Sequence, residues 1–542
     1  MRVAIIGAGP CGLVSAKSCI EYGLEPVVLE KFSDIGGLWH YKESQDIPSV
    51  MKSTIINTSK EMTAFSDFPP PDNTPNFMHN KDVMEYYRSY ATHFNVIPYI
   101  RFNSEVIKVH RADNYAESKQ WRVRYKAIDG RKDQPLTEIQ VDGVMCCSGH
   151  HNDPYIPLLP GQEQFQGKII HSVRYKTPYE FIDKTVLVIG VGNSGGDIAV
   201  ELSRNAIANK VYLSTRRGTW VIGRVGPNGQ PADTVYGTRA ASWMLKNMPW
   251  YSNWAMEAAC NRFMDHEKYG IKPKHRPLEQ HGFNQDDLPN RILSGLLEIK
   301  PDVETLTENG CIFKDGSMVY VDVILLCTGY NITFPYLEDG IIPVDKNNVS
   351  LFKYMYNPEL EHTQTLGVIG CVQPGGATPT VGELQSRIFC AALTKELSLP
   401  SRQQMISDIL EKREEIEARF GRRRRYTIEV DYVAFMDELA TLLGACPRVL
   451  DYIHSDPILA VHLLNGPMAA YAYRITGPYQ WTKARETFLT TMDRIWAPTM
   501  KSGAGKRCDS GARMSAGLCM IGWNKLIAAV AIFIGICYIL LC

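Results

Sequence analysis

The sequence predicts an α/β chain with two parallel-sheet units, a helical insertion and a C-terminal transmembrane helix. Three observations predict it. A glycine-rich strand-to-helix turn occurs twice, a second shared motif follows each copy at a matched distance, and the chain closes on an uncharged apolar run.

The first copy of the turn reads Val3-Ala4-Ile5-Ile6-Gly7-Ala8-Gly9-Pro10-Cys11-Gly12, and the second Val186-Leu187-Val188-Ile189-Gly190-Val191-Gly192-Asn193-Ser194-Gly195. Each is a buried-strand run, then G-x-G-x-x-G, then a helix-like stretch, the context a Rossmann-like dinucleotide-binding turn requires. The first glycine permits the tight turn, the second lets the backbone approach a pyrophosphate, and the third lets helix and strand pack closely. The pyrophosphate then sits at a helix N-terminus, where free N–H groups and the dipole favour an anion. Further on, D-x-[VI]-x-x-C-[ST]-G occurs from Asp142 to Gly149 and again from Asp322 to Gly329. From first glycine to last, the interval is 142 residues in one copy and 139 in the other. Such a repeat identifies two dinucleotide-binding folds.

The two copies select different ligands. The strand Pro26-Val27-Val28-Leu29 ends in Glu30, 23 residues beyond Gly7. An acid there accepts hydrogen bonds from ribose hydroxyls and repels a 2′-phosphate. The strand Val211-Tyr212-Leu213 runs instead into Ser214-Thr215-Arg216-Arg217, with no acid and two guanidinium groups. Arginine binds phosphate through paired N–H groups, so this copy reads as an NADP site. FAD first and NADP(H) second make an oxidoreductase.

The remaining chain divides around these folds. Residues 1–155 are the first part of the FAD-binding domain. The NADP-binding domain takes 156–219 and 301–330, interrupted by a Trp- and Met-rich insertion, 220–300, that reads as mostly helical. Residues 331–445 are expected to return and complete the FAD-binding domain, because the second fold ends near Gly329. Ser401 to Phe420 is a charged helix. Arg422 to Arg425 reads as a solvated loop, with anionic lipid headgroups as the alternative contact. Residues 446–520 form a C-terminal region and linker without an assigned role, and 522–542 a membrane anchor. Leu526 to Cys542 is seventeen residues without a charge. At about 1.5 Å per residue it spans roughly 26 Å, close to a thin bilayer core. Lys501, Lys506, Arg507, Arg513 and Lys525 precede it, which places the body of the protein on the cytosolic side.

Composition narrows the function classes. Among 542 residues, Lys plus Arg and Asp plus Glu are 58 each, so the balanced charge gives no case for a nucleic-acid partner. The fourteen cysteines are scattered and none forms C-x-x-C, which removes zinc ribbons and thioredoxin-type sites. The chain opens directly on a strand rather than a signal peptide, so reduced thiols facing the cytosol are expected. Cys146 and Cys147 read as a buried strand, not a redox pair.

Several blocks carry a resemblance. Phe165-Gln166-Gly167-Lys168-Ile169-Ile170-His171-Ser172-Val173-Arg174-Tyr175 fits F-x-G-x-x-x-H-x-x-x-[YF] at every defined position. Gly36-Gly37-Leu38-Trp39, Asn57-Thr58-Ser59-Lys60-Glu61 and Asn193-Ser194-Gly195-Gly196-Asp197-Ile198-Ala199 join it, and Leu326-Cys327-Thr328-Gly329-Tyr330 departs from F-A-T-G-Y only at two apolar positions. With these blocks the chain resembles the flavin-containing monooxygenases over nearly its full length. The resemblance implies that NADPH reduces FAD and that O2 then forms a C4a-hydroperoxyflavin, which oxygenates nitrogen- and sulfur-containing small molecules. It implies an endoplasmic-reticulum membrane location. It also implies that Gly37, Leu38, Trp39, Asn57 and Thr58 join Gly7, Gly9, Pro10, Cys11, Gly12 and Glu30 around FAD. Gly190, Gly192, Asn193, Ser194, Gly195, Gly196, Asp197, Arg216 and Arg217 would hold NADP(H). Asn57 is the expected catalytic residue, holding the oxygen adduct and the NADP+ amide, whereas His171 is expected to be structural. Lys272-Pro273-Lys274-His275-Arg276, Gln280-His281 and Asp286-Asp287-Leu288-Pro289-Asn290-Arg291 are similar to the fifth mammalian isoform of that family, which is tied to Baeyer–Villiger oxidation. Ketone oxidation or release of H2O2 is therefore one alternative, and a non-catalytic membrane-anchored scaffold or sensor is another. The natural substrate and homo-oligomerisation stay open.

Overall fold

The computed structural model describes residues 1–128, 135–204 and 207–500. Strand β1 (Arg2–Ile6) is buried from Val3 onward, as an unbroken apolar run must be when both faces of a parallel sheet are covered. It turns at Gly7 into α1 (Pro10–Glu21), whose first-turn proline removes an N–H that has no helical partner anyway. β2 (Glu25–Leu29) returns parallel to β1, with Ile6 opposite Leu29. β3 (Ile100–Arg101) and β4 (Gly143–Cys146) extend the sheet on either side, both parallel.

The chain then builds a second parallel sheet. β5 (Lys168–His171) comes first, followed by β6 (Thr185–Ile189), α2 (Asn193–Leu202) and β7 (Lys210–Ser214). After the insertion come β8 (Leu297–Lys300) and β9 (Val323–Leu326), and the sheet order is β8-β7-β6-β9-β5. Each unit carries a three-stranded antiparallel meander just before the strand that bears the second repeated motif. One meander comprises Ser104–Arg111, Trp121–Ala127 and Thr137–Val141; the other comprises Val303–Thr307, Gly310–Phe313 and Met318–Tyr320.

The insertion differs from the sequence expectation. Its helices are α3 (Ala232–Tyr236), α4 (Arg239–Asn247) and α5 (Pro249–Phe263), with a short fourth turn at Leu288–Leu293. Its end is not insertion at all. β8 pairs with β7, Ser214 opposite Lys300, because the outer edge of β7 would otherwise present unpaired backbone groups. Val221–Ile222 and Phe283–Asn284 also pair, in parallel, across the base of the insertion.

β10 (Leu366–Val368) brings the chain back to the first sheet beside β4, giving the order β10-β4-β1-β2-β3. α6 (Thr378–Leu393) follows and is buried along nearly its whole length against α1, with Ser15 and Ser386 hydroxyls 2.8 Å apart at the crossing. α7 (Arg402–Phe420) is the charged helix, opened by a capping box between Ser401 and Gln404. At the far side of α1, Arg474 lies within 3.4 Å of Glu21, Asp67 and Glu383, and Lys17 bonds Glu21 and Asp67. Removing one member of such a buried cluster would leave an uncompensated charge. No disulfide forms among the described cysteines, and Cys146 and Cys147 are buried. Among the described residues no helix is long and apolar enough to cross a membrane. The expected anchor, 522–542, lies outside them.

Candidate active site

The two glycine turns share one construction. Gly7 has φ +101° and Gly190 φ +109°, the left-handed region that glycine alone adopts freely. A Cβ on Gly7 would lie 2.8 Å from the Cys147 carbonyl oxygen, and one on Gly190 2.5 Å from that of Cys327. The second repeated motif thus packs its cysteine backbone against the first glycine of its own turn, which explains why the two motifs travel together. A Cβ on Gly12 would meet the Gly7 carbonyl oxygen at 1.9 Å, and one on Gly195 that of Gly190 at 2.0 Å. Gly9 and Gly192 cap α1 and α2 without a side chain, so the first-turn N–H groups of both helices remain for an anion.

Around the first turn, both Glu30 oxygens are engaged. One accepts from the Ala8 N–H at 2.6 Å and the other from the Phe32 N–H at 2.8 Å. Burial raises the Glu30 carboxyl above its ordinary range, and the two backbone bonds oppose that rise. Each oxygen keeps a lone pair for a ribose hydroxyl. The Gly36 N–H donates to the Ala8 carbonyl at 2.9 Å, which draws the tight turn Gly37–Trp39 onto the glycine loop. A Cβ on Gly37 would be 3.1 Å from the Gly9 Cα. The Leu38 carbonyl accepts from Val50 at 2.8 Å, and Trp39 packs half-buried on the core. Pro10 opens α1. The Cys11 sulfur lies beside Gly370 and Gly382, filling the gap between α1 and α6, and burial pushes its thiol up to about 12.

Asn57 is held from the other unit. The Arg224 Nε donates to its Oδ1 at 3.0 Å. An N–H can only meet the amide oxygen, so the Asn57 NH2 is left as the donor for whatever lies beside it. Arg224 is itself fixed by Asp286 at 3.0 Å and lies 3.6 Å from Asp197. Thr58 and Thr63 hydroxyls are 2.7 Å apart. Two residues beyond Asn57, the Ser59 N–H and hydroxyl donate to one oxygen of Asp233 at 2.6 and 3.0 Å. The segment from Arg224 to Asp233 therefore grips the Asn57 loop at both ends.

The other Asp233 oxygen is buried without a partner among the described residues, and burial raises this carboxyl to about 6. The folded protein thus binds this proton more tightly than the unfolded chain, so the stability it contributes is full at low pH and fades as pH rises through about 6. Asp233→Asn should abolish that dependence. Between about pH 5 and pH 7.5 the wild-type melting temperature is expected to fall relative to the variant's, and parallel curves would count against a raised carboxyl.

At the second turn the expected residues separate into two groups. The Gly190 N–H donates to the Ser214 carbonyl at 3.1 Å, so the end of β7 lies beside the glycine loop; Arg216 and Arg217 follow that end, both exposed, and Ser194 is exposed on the first turn of α2. Asn193, Gly196 and Asp197 instead dock the insertion. Asn193 bonds the Asn284 N–H at 2.9 Å and the Gly282 carbonyl at 3.3 Å; Gly196 leaves room for the Phe283 ring. Asp197 accepts from Gln285 at 2.9 Å, and burial raises it to about 6 against the pull of Arg224. His171 is buried, its Nδ1 taking the Val173 N–H at 3.2 Å and its Nε2 donating to the Gly329 carbonyl at 3.0 Å. It ties the end of β5 to the end of β9.

Sequence reading missed Arg224 and Asp233, which have no motif of their own. Their proximity to Asn57 is created by the fold.

The Flavin-binding monooxygenase-like (FMO-like) family model matches residues 1–541. Flavin-containing monooxygenase 5 of Homo sapiens is 44% identical over 538 residues, covering 98% of this chain and 99% of that protein. Dimethylaniline monooxygenase [N-oxide-forming] 2 of Cavia porcellus is 42% identical over 540 residues, 98% of each. The structure of S-allyl-L-cysteine S-oxygenase from Allium sativum superposes with a TM-score of 0.62 at 26% identity, over 82% of this chain and 88% of that one.

Proposed function

The chain belongs to the flavin-binding monooxygenase-like family, and from that premise we propose that it uses NADPH and O2 to place one oxygen atom on nitrogen- and sulfur-containing small molecules. The observation that carries the coenzyme choice is the contrast between two similarly built turns. The turn after β1 is backed by the Glu30 carboxyl, whereas the turn after β6 is bonded to the strand end that Arg216 and Arg217 follow. Ribose hydroxyls suit the first and a 2′-phosphate the second.

The residues fit both groups. The bare N-termini of α1 and α2 would take the pyrophosphates, Glu30 the flavin-side ribose, and Gly37 to Trp39 with Asn57 and Thr58 the flavin end. Bound FAD supplies what side chains lack, two-electron reduction by NADPH and activation of O2 to an electrophilic oxygen donor. The chain's own work is to bind, orient and keep water away. Arg224 fixes the Asn57 amide by its oxygen, which leaves the NH2 as a preset donor that costs no reorganisation during turnover. An amine nitrogen or sulfide sulfur takes an electrophilic oxygen through its own lone pair. No protein base is required, so a structural His171 is consistent with the reading. The N-oxide-forming relative from Cavia porcellus and the S-oxygenase from Allium sativum support nitrogen and sulfur as the acceptor atoms.

The test is a product assay on the full chain with NADPH and air, offering a tertiary amine, a dialkyl sulfide and an aliphatic ketone. N-oxide and sulfoxide are expected to dominate. Ester from the ketone as the main product would move the assignment to Baeyer–Villiger chemistry, and H2O2 alone would overturn it.

The apolar segment 526–542 supports attachment to the endoplasmic-reticulum membrane with the body in the cytosol. Truncation before Gly522 should release a folded, flavin-bearing protein from the membrane fraction. Tight membrane binding of the truncated chain, or loss of its flavin, would refute the tail as anchor.

A further inference from the structure

The basic run Arg422 to Arg425 does not form a uniform solvated loop. Arg422 pairs with Glu417 at 2.9 Å, and Arg423 leans over the Tyr426 ring. Arg424 bonds Asn331 and stacks on Tyr155, 4.5 Å from its ring centre. Arg425 also passes over the Tyr426 ring, 5.7 Å from its centre, and reaches on toward the second unit. Its Nη1 donates to the Val191 carbonyl at 3.5 Å, and its Nη2 lies 2.7 Å from where a Cβ on Gly192 would stand. The guanidinium therefore rests on the second glycine loop, over the residue that caps α2.

Its charge meets the face of the Tyr426 ring, but among the described residues no carboxylate pairs with Arg425, and a ring contact with one long bond to a carbonyl is weak anchorage for an exposed cation. Yet it stands where α2 presents free N–H groups. A cation set against a bare helix N-terminus is unfavourable by itself, because both carry positive potential. A diphosphate between them removes the repulsion and gains from both sides.

We propose that Arg425 is a coenzyme-binding residue that clamps the pyrophosphate of NADP(H) from the side opposite α2. The assignment rests on the reading of the second turn as the coenzyme site. Because the pyrophosphate is common to NADP+ and NAD+, Arg425 should not discriminate between them. Discrimination belongs to Arg216 and Arg217 at the end of β7. Two kinds of arginine then divide the coenzyme: one strand-end pair reads the 2′-phosphate, and one residue from the returning segment of the first unit holds the bridge. That returning segment thereby becomes part of the coenzyme site, which couples coenzyme binding to the flavin-side domain.

The experiment measures dissociation constants of NADP+ and NAD+ by calorimetry on the flavin-loaded full chain, for wild type, Arg425→Gln, Arg425→Lys and Arg216→Ala. Arg425→Gln should weaken both ligands by a common factor, on the order of tenfold, and reduce the salt dependence of binding. Arg425→Lys should recover part of the loss, since it restores the charge without the paired N–H groups. Arg216→Ala should weaken NADP+ alone. Unchanged affinity for both ligands in Arg425→Gln overturns the proposal, and so does a loss confined to NADP+. Failure of wild type to bind either nucleotide would instead overturn the underlying coenzyme assignment. Arg422→Gln, whose side chain is occupied by Glu417, should leave both constants at their wild-type values.

Discussion

Gly195→Ala is expected to abolish reduction of the bound flavin by NADPH while the protein stays yellow and is still bleached by dithionite. The added Cβ would stand 2.0 Å from the Gly190 carbonyl oxygen, inside any real contact distance, and the obstacle is backbone rather than a mobile side chain. α2 must back away from its turn, which takes its N–H groups off the place proposed for the pyrophosphate. Losing two or more charge-assisted bonds of about 1.5–3 kcal/mol each predicts at least a hundredfold fall in the reduction rate at subsaturating NADPH. Gly12→Ala imposes the same clash at 1.9 Å on the first turn and should produce the converse, a chain that loses FAD. Flavin content by absorbance and anaerobic stopped-flow reduction separate the two. If Gly195→Ala is reduced by NADPH as fast as wild type, the second turn is not the coenzyme site.

Asn57→Leu should keep FAD and continue to consume NADPH, with most of the reducing equivalents appearing as H2O2 instead of oxygenated product. Leucine has similar bulk but no amide, so the preset NH2 donor is gone and the Arg224 Nε loses the oxygen it bonds at 3.0 Å. An electrostatic donor of this kind is worth about 2.7–4 kcal/mol, so product formation should drop by a factor on the order of a hundred. Asn57→Ser retains a hydroxyl but not the reach, and should fall between. Simultaneous assay of NADPH, H2O2 and sulfoxide reads the partition directly. Wild-type coupling in both variants would reduce Asn57 to a turn residue whose only role is to receive Arg224.

Much of the proposed site can be read from the chain's local pattern. The glycine spacing, the strand-end acid and the strand-end arginines are local features, because a strand–turn–helix is a contiguous unit. The chemistry of its turn is decided by neighbours a few residues away. The matched motifs at Asp142 and Asp322 could be seen to recur, but not why. The reason is the contact of the Cys147 and Cys327 carbonyls with the first glycines, formed when parallel strands distant in sequence lie side by side. The end of the insertion was misplaced for a related reason: whether Leu297 to Lys300 is sheet depends on β7 having an open edge, which no local pattern encodes.

Local pattern alone reveals two glycine-rich turns, an acid after the first and arginines after the second, and the family to which the chain is similar. Short-range periodicity and residue chemistry carry that information. How the two units meet at the Asn57 loop is set by folding. Arg224 and Asp233 come from the insertion to grip Asn57 and Ser59 across 167 and 174 residues of chain, and Arg425 crosses 234 residues to reach Val191. These side chains carry no signature in sequence, since a single arginine or aspartate in a loop is chemically the same whether it is solvated or bonded. What gives each its role is the burial and the partner that folding supplies.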